Sequence, residues 1–134
     1  MTAAPQRVLL DTHVLLWLVS SPQKVARSAR AVLADTATEV LVSAASAWEI
    51  AIKTRLGRLR GDALLSAWSD IIVDMTATDL AIDANDAIYA GRLAWDHKDP
   101  FDRMLVAQAA RRNLTIVTND SQIIDAALTP TIKT

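Results

Sequence analysis

Two short apolar segments, each followed closely by an aspartate, constrain the fold of this chain more than any other feature. Arg7-Val-Leu-Leu precedes Asp11, and Thr115-Ile-Val-Thr precedes Asp120. Both segments are typical of short buried β-strands. A third strand-like segment, Glu39–Ser43, lies between them, together with long stretches in which apolar residues recur at helical spacing. Because strands that are separated by helices pair in parallel, we predict a three-layer α/β/α sandwich with a central, mostly parallel sheet.

The remaining elements are predicted from apolar spacing and from capping residues. A third short strand is expected over Val73–Thr76, an edge strand or a loose tail at Thr131-Ile132, and a disordered lead-in over Met1–Gln6. The predicted helices cover Thr12–Ser20, Ala26–Ala37, Ala45–Leu56, Asp62–Ile72, Thr78–Trp95, Asp99–Arg112 and Asn119–Leu128. The chain has 134 residues, 3 glycines and 4 prolines, and no linker-like stretch. We therefore expect a single domain over residues 1–134.

The composition excludes several classes of site. The 14 Lys and Arg residues are balanced by 15 Asp and Glu, so no protein-wide positive field attracts nucleic acid. A polyanion would have to be held by a local patch or by a metal ion. Cysteine is absent, which excludes disulfides, thiolate zinc sites and a thiol nucleophile. The only histidines are His13 and His97, which argues against a histidine-rich metal site.

The longest apolar stretch does not predict a membrane segment. Val8–Val19 is interrupted by Asp11 and His13 and is shorter than the roughly 20 residues that span a bilayer. The same interruption breaks any signal-peptide core, and no basic run precedes it. The sequence therefore predicts a cytoplasmic protein with no membrane span.

Four acidic residues stand at places where a carboxylate requires a partner. Asp11 and Asp120 each follow a predicted strand, so they are expected at the same edge of the sheet, where open parallel sheets bind ligands. Asp102 lies in the first turn of a helix, and Glu49 is the single acid in an apolar run. If they converge, these carboxylates form a site for a divalent cation, and an all-oxygen site suits Mg²⁺ or Mn²⁺ better than zinc.

Each acid also has a purely structural interpretation. Asp11 and Asp120 are in place to cap helices, and Asp99-Pro-Phe-Asp102 is similar to a capping box with proline at the first helical position. Glu49 and Lys53 are four residues apart, in the favourable order for an exposed ion pair on a helix. Helix caps, however, have no need to converge on one place.

Four blocks of the sequence carry a family resemblance. They are Leu9-Leu-Asp-Thr-His-Val-Leu-Leu-Trp17, Ser43-Ala-Ala-Ser-Ala-Trp-Glu-Ile-Ala-Ile-Lys53, His97-Lys-Asp-Pro-Phe-Asp-Arg-Met-Leu-Val-Ala-Gln108 and Ile116-Val-Thr-Asn-Asp120. In this order they resemble the signature blocks of PIN-domain nucleases and, more narrowly, of VapC-type toxins from bacterial toxin–antitoxin pairs. The resemblance extends from residue 8 to about residue 124.

This resemblance implies a metal-dependent endoribonuclease. The implied quartet binds Mg²⁺ or Mn²⁺ and drives RNA cleavage; it consists of Asp11, Glu49, Asp102 and Asp120. Thr118 is an implied helper through its hydroxyl, whereas Asp99 is either a further site residue or only a helix cap. The implied partners are a cognate antitoxin protein and a second copy of the chain in a symmetric homodimer. Val14–Val19 is apolar around the whole helix, which suggests that another chain covers part of it.

Basic residues near the acids are candidate contacts to the RNA backbone. Four of them follow Glu49, and the alternative for that run is a plain solvated face. The candidates are Lys53, Arg55, Arg58, Arg60 and, beside Asp102, Arg103. We interpret His97 as an ordinary loop histidine, with a contact to RNA as the alternative. The four tryptophans, at positions 17, 48, 68 and 95, all lie in predicted helices, where aromatic side chains usually fill the core.

Three alternative functions share the α/β architecture. A receiver-like signalling module needs adjacent acids after its first strand, whereas Leu10 precedes Asp11 here. A haloacid-dehalogenase-type phosphatase needs Asp-x-Asp at that place, where this chain has Asp11-Thr-His13. A non-catalytic RNA-binding module of the same fold stays open, and RNA cleavage with and without metal separates it from the enzyme.

Overall fold

A five-stranded, fully parallel sheet forms the centre of the computed structural model, which describes residues 6–134. Its strands are β1 (Arg7–Leu10), β2 (Glu39–Ser43), β3 (Ala77–Leu80), β4 (Thr115–Thr118) and β5 (Thr131–Lys133). They lie side by side in the order β3-β2-β1-β4-β5. The predicted parallel sheet is confirmed, and the segment at Thr131 is an edge strand rather than a loose tail.

Helices connect the strands and cover both faces of the sheet. They are α1 (Thr12–Ser20), α2 (Arg27–Ala34), α3 (Ala44–Arg55), α4 (Asp62–Ser66), α5 (Trp68–Asp74), α6 (Ala84–Arg92), α7 (Pro100–Arg112) and α8 (Ser121–Ala126), with a short 3-10 turn at Pro22–Lys24. None of these helices has both the length and the apolar character needed to cross a lipid bilayer; this holds for the part of the chain that the structure describes.

The three predicted layers follow from the alternation of side chains along the strands. Val8 and Leu10 of β1 face a core that is completed by side chains of α1, α2, α4 and α5. Leu9, between them, faces a second core that includes Leu105 of α7 and Ile123 of α8. Since both faces are covered, the central strands are apolar at nearly every position, as parallel sheets require.

The strand order contains one topological switch point. From β1 the chain builds the sheet in one direction through β2 and β3, and then returns to add β4 and β5 on the other side of β1. β1 and β4 are therefore neighbours, with Leu10 beside Val117, and the amide of Asp11 continues their ladder by donating to the Val117 carbonyl at 3.0 Å. Open parallel sheets bind ligands at such a point, beyond the carboxyl ends of the strands.

Two sequence predictions in the middle of the chain are wrong. The third strand lies at Ala77–Leu80 and not at Val73–Thr76, because Val73 still belongs to α5. A helix from Thr78 to Trp95 does not form; only Ala84–Arg92 is helical. The reason is that β3 is an edge strand whose side chains are half-buried or exposed, so no apolar run marks it. The capping box of Asp83 then begins α6.

The tryptophans also depart in part from the prediction. The side chain of Trp48 is 56% exposed, and Trp95 lies in the loop between α6 and α7 instead of in a helix. Trp17 and Trp68 do pack against the core that Val8 and Leu10 face. The lead-in predicted over Met1–Gln6 lies, except for Gln6, outside the described residues.

A buried polar network fixes α7 against the sheet. Oε1 of Gln108, fully buried on α7, accepts a hydrogen bond of 2.6 Å from the Ser43 hydroxyl at the end of β2. Its Nε2 donates to the Ala81 carbonyl at 3.2 Å and to Oδ2 of Asp86 at 3.1 Å. Asp86 is itself paired with two arginines at the end of α7, Arg111 and Arg112. The helix that carries Asp102 is thereby held to β2 and α6.

We expect Gln108→Leu to lower the free energy of unfolding by about 1–3 kcal/mol, because buried groups at Ser43, Ala81 and Asp86 lose a partner. Urea denaturation followed by circular dichroism measures the change. The matched control is Gln122→Leu, on the exposed surface of α8, which should stay within about 0.5 kcal/mol of wild type. Equal stability of the two variants would contradict the importance of this network.

Candidate active site

The side chains of Asp11 and Thr118 meet where β1 and β4 end. The Thr118 hydroxyl donates to Oδ2 of Asp11 at 2.6 Å and accepts from the amide of Asp120 at 2.9 Å. Asp11 stands at the N-cap position of α1, yet its side chain makes no capping hydrogen bond. The capping interpretation of Asp11 is therefore wrong. Its carboxylate accepts a hydrogen bond from Thr118 instead, so capping does not explain why an acid stands at this position.

Burial dominates the ionisation of Asp11, which is only 6% exposed. Desolvation raises the pKa of its carboxyl above the ordinary value, although the hydrogen bond from Thr118 acts in the opposite direction. The charge of nearby Asp120 adds to the increase. The ionised form of Asp11 is therefore disfavoured, and a cation that entered the site would stabilise it.

Asp120 and Asp99 do cap helices, as the structural interpretation predicts. Oδ1 of Asp120 accepts from the Gln122 amide at 2.9 Å at the start of α8. Oδ1 of Asp99 accepts from the amides of Phe101 and Asp102 at 2.9 and 3.1 Å. Capping occupies one oxygen of each carboxylate. Both residues also line the same cleft as Asp11, so the caps converge after all.

Glu49 lies on the inner side of α3 and is not part of an exposed pair. Its residue is 6% exposed, and its Oε2 accepts a 2.5 Å hydrogen bond from Nζ of Lys53, one turn later. Glu49 and Lys53 do form the expected ion pair, but both side chains line the cleft instead of an open surface. Lys53 supplies the positive charge that a buried carboxylate requires.

Asp102, in the first turn of α7, is the most strongly perturbed acid. Burial raises its pKa to about 7. The hydrogen bond with His97 opposes that increase, whereas the negative charges of Asp99, Asp11 and Asp120 reinforce it. Nε2 of His97 lies 2.6 Å from Oδ2 of Asp102. The pKa is therefore raised mainly because the carboxyl is removed from water, and the neighbouring negative charges add to that effect.

These side chains surround one polar cleft of about 390 Å³ at the switch point. Its lining consists of Asp11, Thr12, His13, Glu49, Lys53, Asp99, Asp102, Asn119, Asp120 and Ser121. Ligand atoms of His97, Asp102 and Asp120, one from each, lie within 4.8 Å of one another, close enough to share a cation. The structure thus brings together all four acids of the predicted quartet, with Asp99 and Lys53.

Four of the basic residues that are predicted to contact RNA lie outside the cleft. The side chains of Arg55, the last residue of α3, and of Arg58 and Arg60, which follow it, are exposed and do not line the cleft. Arg103 faces the loop between α6 and α7, where its guanidinium donates to backbone carbonyls, among them those of Trp95 and His97. The expectation that Arg103 binds phosphate is not supported, because its donors are used within the protein.

His97 is the site residue that sequence reasoning missed. We interpreted it as a loop histidine, and it does lie in a loop, but its ring contacts Asp102. A signal was present in the sequence: His97 precedes Asp102 by only five positions, and Asp99-Pro100 between them favours a helix start. Such a turn can bring the side chain before a helix back to its first turn.

A family model described as PIN domain matches residues 8–128. The chain belongs to the PIN domain family. The resemblance drawn from the sequence blocks is thereby confirmed, and PIN domains as a class are nucleases. No curated protein matches the chain significantly.

Solved structures with the same fold include VapBC2 from Rickettsia felis bound to a DNA fragment from their promoter. It has a TM-score of 0.70 and 14% identity, and the match covers 96% of this chain and 98% of that chain. A toxin–antitoxin complex from Klebsiella pneumoniae has a TM-score of 0.65 and 16% identity, with 94% and 96% covered. FitAcB from Neisseria gonorrhoeae has a TM-score of 0.60 and 20% identity, with 94% and 96% covered. At these identities the PIN-domain fold is what the three share with this chain.

The raised pKa of Asp102 makes the stability of the metal-free protein depend on pH. The folded state binds this proton more tightly than the unfolded chain, in which the group titrates near 3.8. Stability should therefore fall as the pH rises from about 4 to about 7. Asp102→Asn removes this dependence. In EDTA it should match wild type near pH 4 and exceed it by up to about 4 kcal/mol near pH 8.

Urea denaturation between about pH 4 and about pH 8 measures the difference in unfolding free energy between Asp102→Asn and wild type. Asp125→Asn, on the exposed surface of α8, is the matched control and should leave the shape of the wild-type curve unchanged. Parallel curves for Asp102→Asn and wild type would show that Asp102 is not held in an unfavourable charged form.

Proposed function

We propose that this protein is a metal-dependent endoribonuclease that hydrolyses RNA phosphodiester bonds within a single PIN-like domain. The observation that carries the proposal is the convergence of four carboxylates on one cleft at the switch point of the sheet. They belong to Asp11, Glu49, Asp102 and Asp120. Independent helix caps or surface acids would have no reason to meet there, whereas a divalent cation requires several carboxylates in one place.

The donor set of the cleft fits Mg²⁺ or Mn²⁺. Carboxylate oxygens predominate, and hard cations of this kind prefer oxygen ligands. Asp11 and Asp102 are each less than a tenth exposed, so the repulsion between their charges is poorly screened by water. A divalent cation offsets that repulsion, and when bound it supplies the Lewis-acid chemistry that activates water and stabilises the charge of the phosphate.

The residues around the acids orient them. Thr118 holds one oxygen of Asp11, and Lys53 holds one oxygen of Glu49. Without a cation this cleft repels a phosphate, so RNA binding and cleavage depend on the same ion. We propose that the arginines at and just after the end of α3 contact the RNA backbone, since their side chains are exposed; they are Arg55, Arg58 and Arg60.

We expect the purified protein to cleave a structured RNA in the presence of Mg²⁺ or Mn²⁺, and we expect EDTA to abolish this cleavage. Asp11→Asn keeps the size of the side chain and removes its charge, so it should lose most of the activity, as should Glu49→Gln, Asp102→Asn and Asp120→Asn. Asp99→Asn, which retains a cap, should lose less. Electrophoresis of end-labelled RNA measures the rates.

The control for these variants is Asp125→Asn, which should cleave at the wild-type rate. Undiminished cleavage in EDTA would overturn the metal mechanism. RNA binding without cleavage in either metal would favour the non-catalytic RNA-binding module instead.

We further propose that the protein is the toxin of a toxin–antitoxin pair and acts on RNA in the cytoplasm. Support comes from α1, where Val19 is 40% exposed and Leu18 lines an apolar groove of about 270 Å³. Leu33 of α2 and Met75 form other parts of that groove. An apolar segment of a cognate antitoxin would cover this face, and the fold shared with VapBC2 is consistent with such a partner.

A second surface is proposed as the homodimer contact. Trp48 of α3 packs edge-on against Phe101 with 5.0 Å between ring centroids, and both line a groove together with α6. Ile88 and Tyr89 of α6 are also exposed. A symmetric partner that covers these side chains would place two acidic clefts on one particle.

We expect expression of the chain without an antitoxin to arrest bacterial growth, because RNA cleavage would stop protein synthesis. Asp11→Asn at matched expression should not arrest growth, and growth curves after induction give the comparison. If wild type and Asp11→Asn affect growth equally, the toxin proposal fails, even if the purified enzyme cleaves RNA.

A further inference from the structure

The loop between α6 and α7 is fixed by a single side chain, Arg103. A guanidinium group has five N–H donors, and all five are used here on backbone carbonyls. Nε donates to Ala90 at 3.1 Å, Nη1 to Trp95 at 2.7 Å and His97 at 3.0 Å, and Nη2 to Leu93 at 2.9 Å and Gly91 at 3.4 Å. A segment without regular structure thereby acquires a defined conformation.

This loop presents His97 to the acidic cleft. The carbonyl of His97 is held by Arg103, and its ring packs against that of Trp95, with centroids 4.9 Å apart. The imidazole is mostly buried, and Nε2 lies 2.6 Å from Oδ2 of Asp102. In the cation-bound state that the proposed function presupposes, Asp102 is ionised and only accepts hydrogen bonds, so Nε2 is then the donor. Backbone, ring and ring nitrogen of His97 are all engaged.

The short distance distinguishes two roles for His97. Two atoms that bind the same Mg²⁺ or Mn²⁺ side by side, each about 2.1 Å from the ion, lie about 3 Å apart. The 2.6 Å separation is shorter than that and is typical of a charge-assisted hydrogen bond. The imidazole is thus placed as a hydrogen-bond partner of Asp102, and the hydrogen bond uses only one of the two carboxylate oxygens.

We propose that His97 is a positioning residue for Asp102 and that Arg103 holds His97 in place. The inference rests on the proposed function, since it presupposes a divalent cation in the cleft. The helix alone does not orient the carboxylate: Asp99 accepts from the backbone amide of Asp102, which fixes the main chain but leaves the side chain free to rotate. His97 supplies the missing constraint, and carboxylates that bind metals commonly need such a partner.

The test is Mn²⁺ binding, measured by electron paramagnetic resonance on wild type, His97→Ala and His97→Gln. We expect His97→Ala to bind Mn²⁺ roughly 10–100-fold more weakly, the usual effect of removing a hydrogen-bond partner from a metal ligand. His97→Gln retains an N–H donor and should recover part of that loss. Lys98→Ala, which changes the exposed neighbour in the same loop, should bind as wild type does.

Spin-echo modulation on wild type with Mn²⁺ separates positioning from direct ligation. A directly coordinated ¹⁴N signal that disappears in His97→Gln would overturn the positioning role, because it would make His97 a ligand. Equal affinities for wild type and His97→Ala would overturn it too. If wild type binds Mn²⁺ and Asp11→Asn does not, the proposed metal site stands even when His97 fails. If wild type binds no Mn²⁺, both proposals fall.

Discussion

The parallel pairing of β1 with β4 is the constraint on which the acidic cleft depends. These strands are the two that flank the switch point, and their register places Leu10 beside Val117. Asp11 and Thr118, one residue further along each strand, are therefore within hydrogen-bond reach. Residues 107 positions apart in the chain become neighbours because β1 and β4 pair in parallel, and the helices leave the carboxyl edge of the sheet open to a ligand.

Burying several carboxylates together is costly, and the structure offsets this cost in three ways. Asp11 has the Thr118 hydroxyl, Glu49 has the ammonium of Lys53, and Asp102 has the imidazole of His97. These partners do not restore ordinary ionisation, since the pKa of Asp102 still rises to about 7. The remaining desolvation and repulsion would favour the binding of a divalent cation, and under the proposed function this cation would let a protein with a net charge of −1 attract RNA.

Structural and functional interpretations of the same residue are compatible here. Asp99 and Asp120 cap helices with one oxygen each, and both carboxylates still line the cleft. Helix starts that face the carboxyl edge of a parallel sheet bring their capping residues to the ligand-binding rim as a matter of geometry. Arg103, in contrast, stands beside Asp102 in the sequence and serves only the loop, where its five donors bind backbone carbonyls.

The sequence by itself determined the class of fold, since apolar strands separated by helices leave few alternatives to a covered parallel sheet. It also indicated the four acids that line the cleft, because carboxylates that follow β1 and β4 or lie within an apolar helix require polar or cationic partners. Only the tertiary structure decided where β3 lies, because an edge strand is half exposed and carries no apolar run. It alone also decided that His97 contacts Asp102 while Arg103 does not reach the cleft. The direction of a loop side chain is set by contacts between distant segments, and no local spacing encodes them.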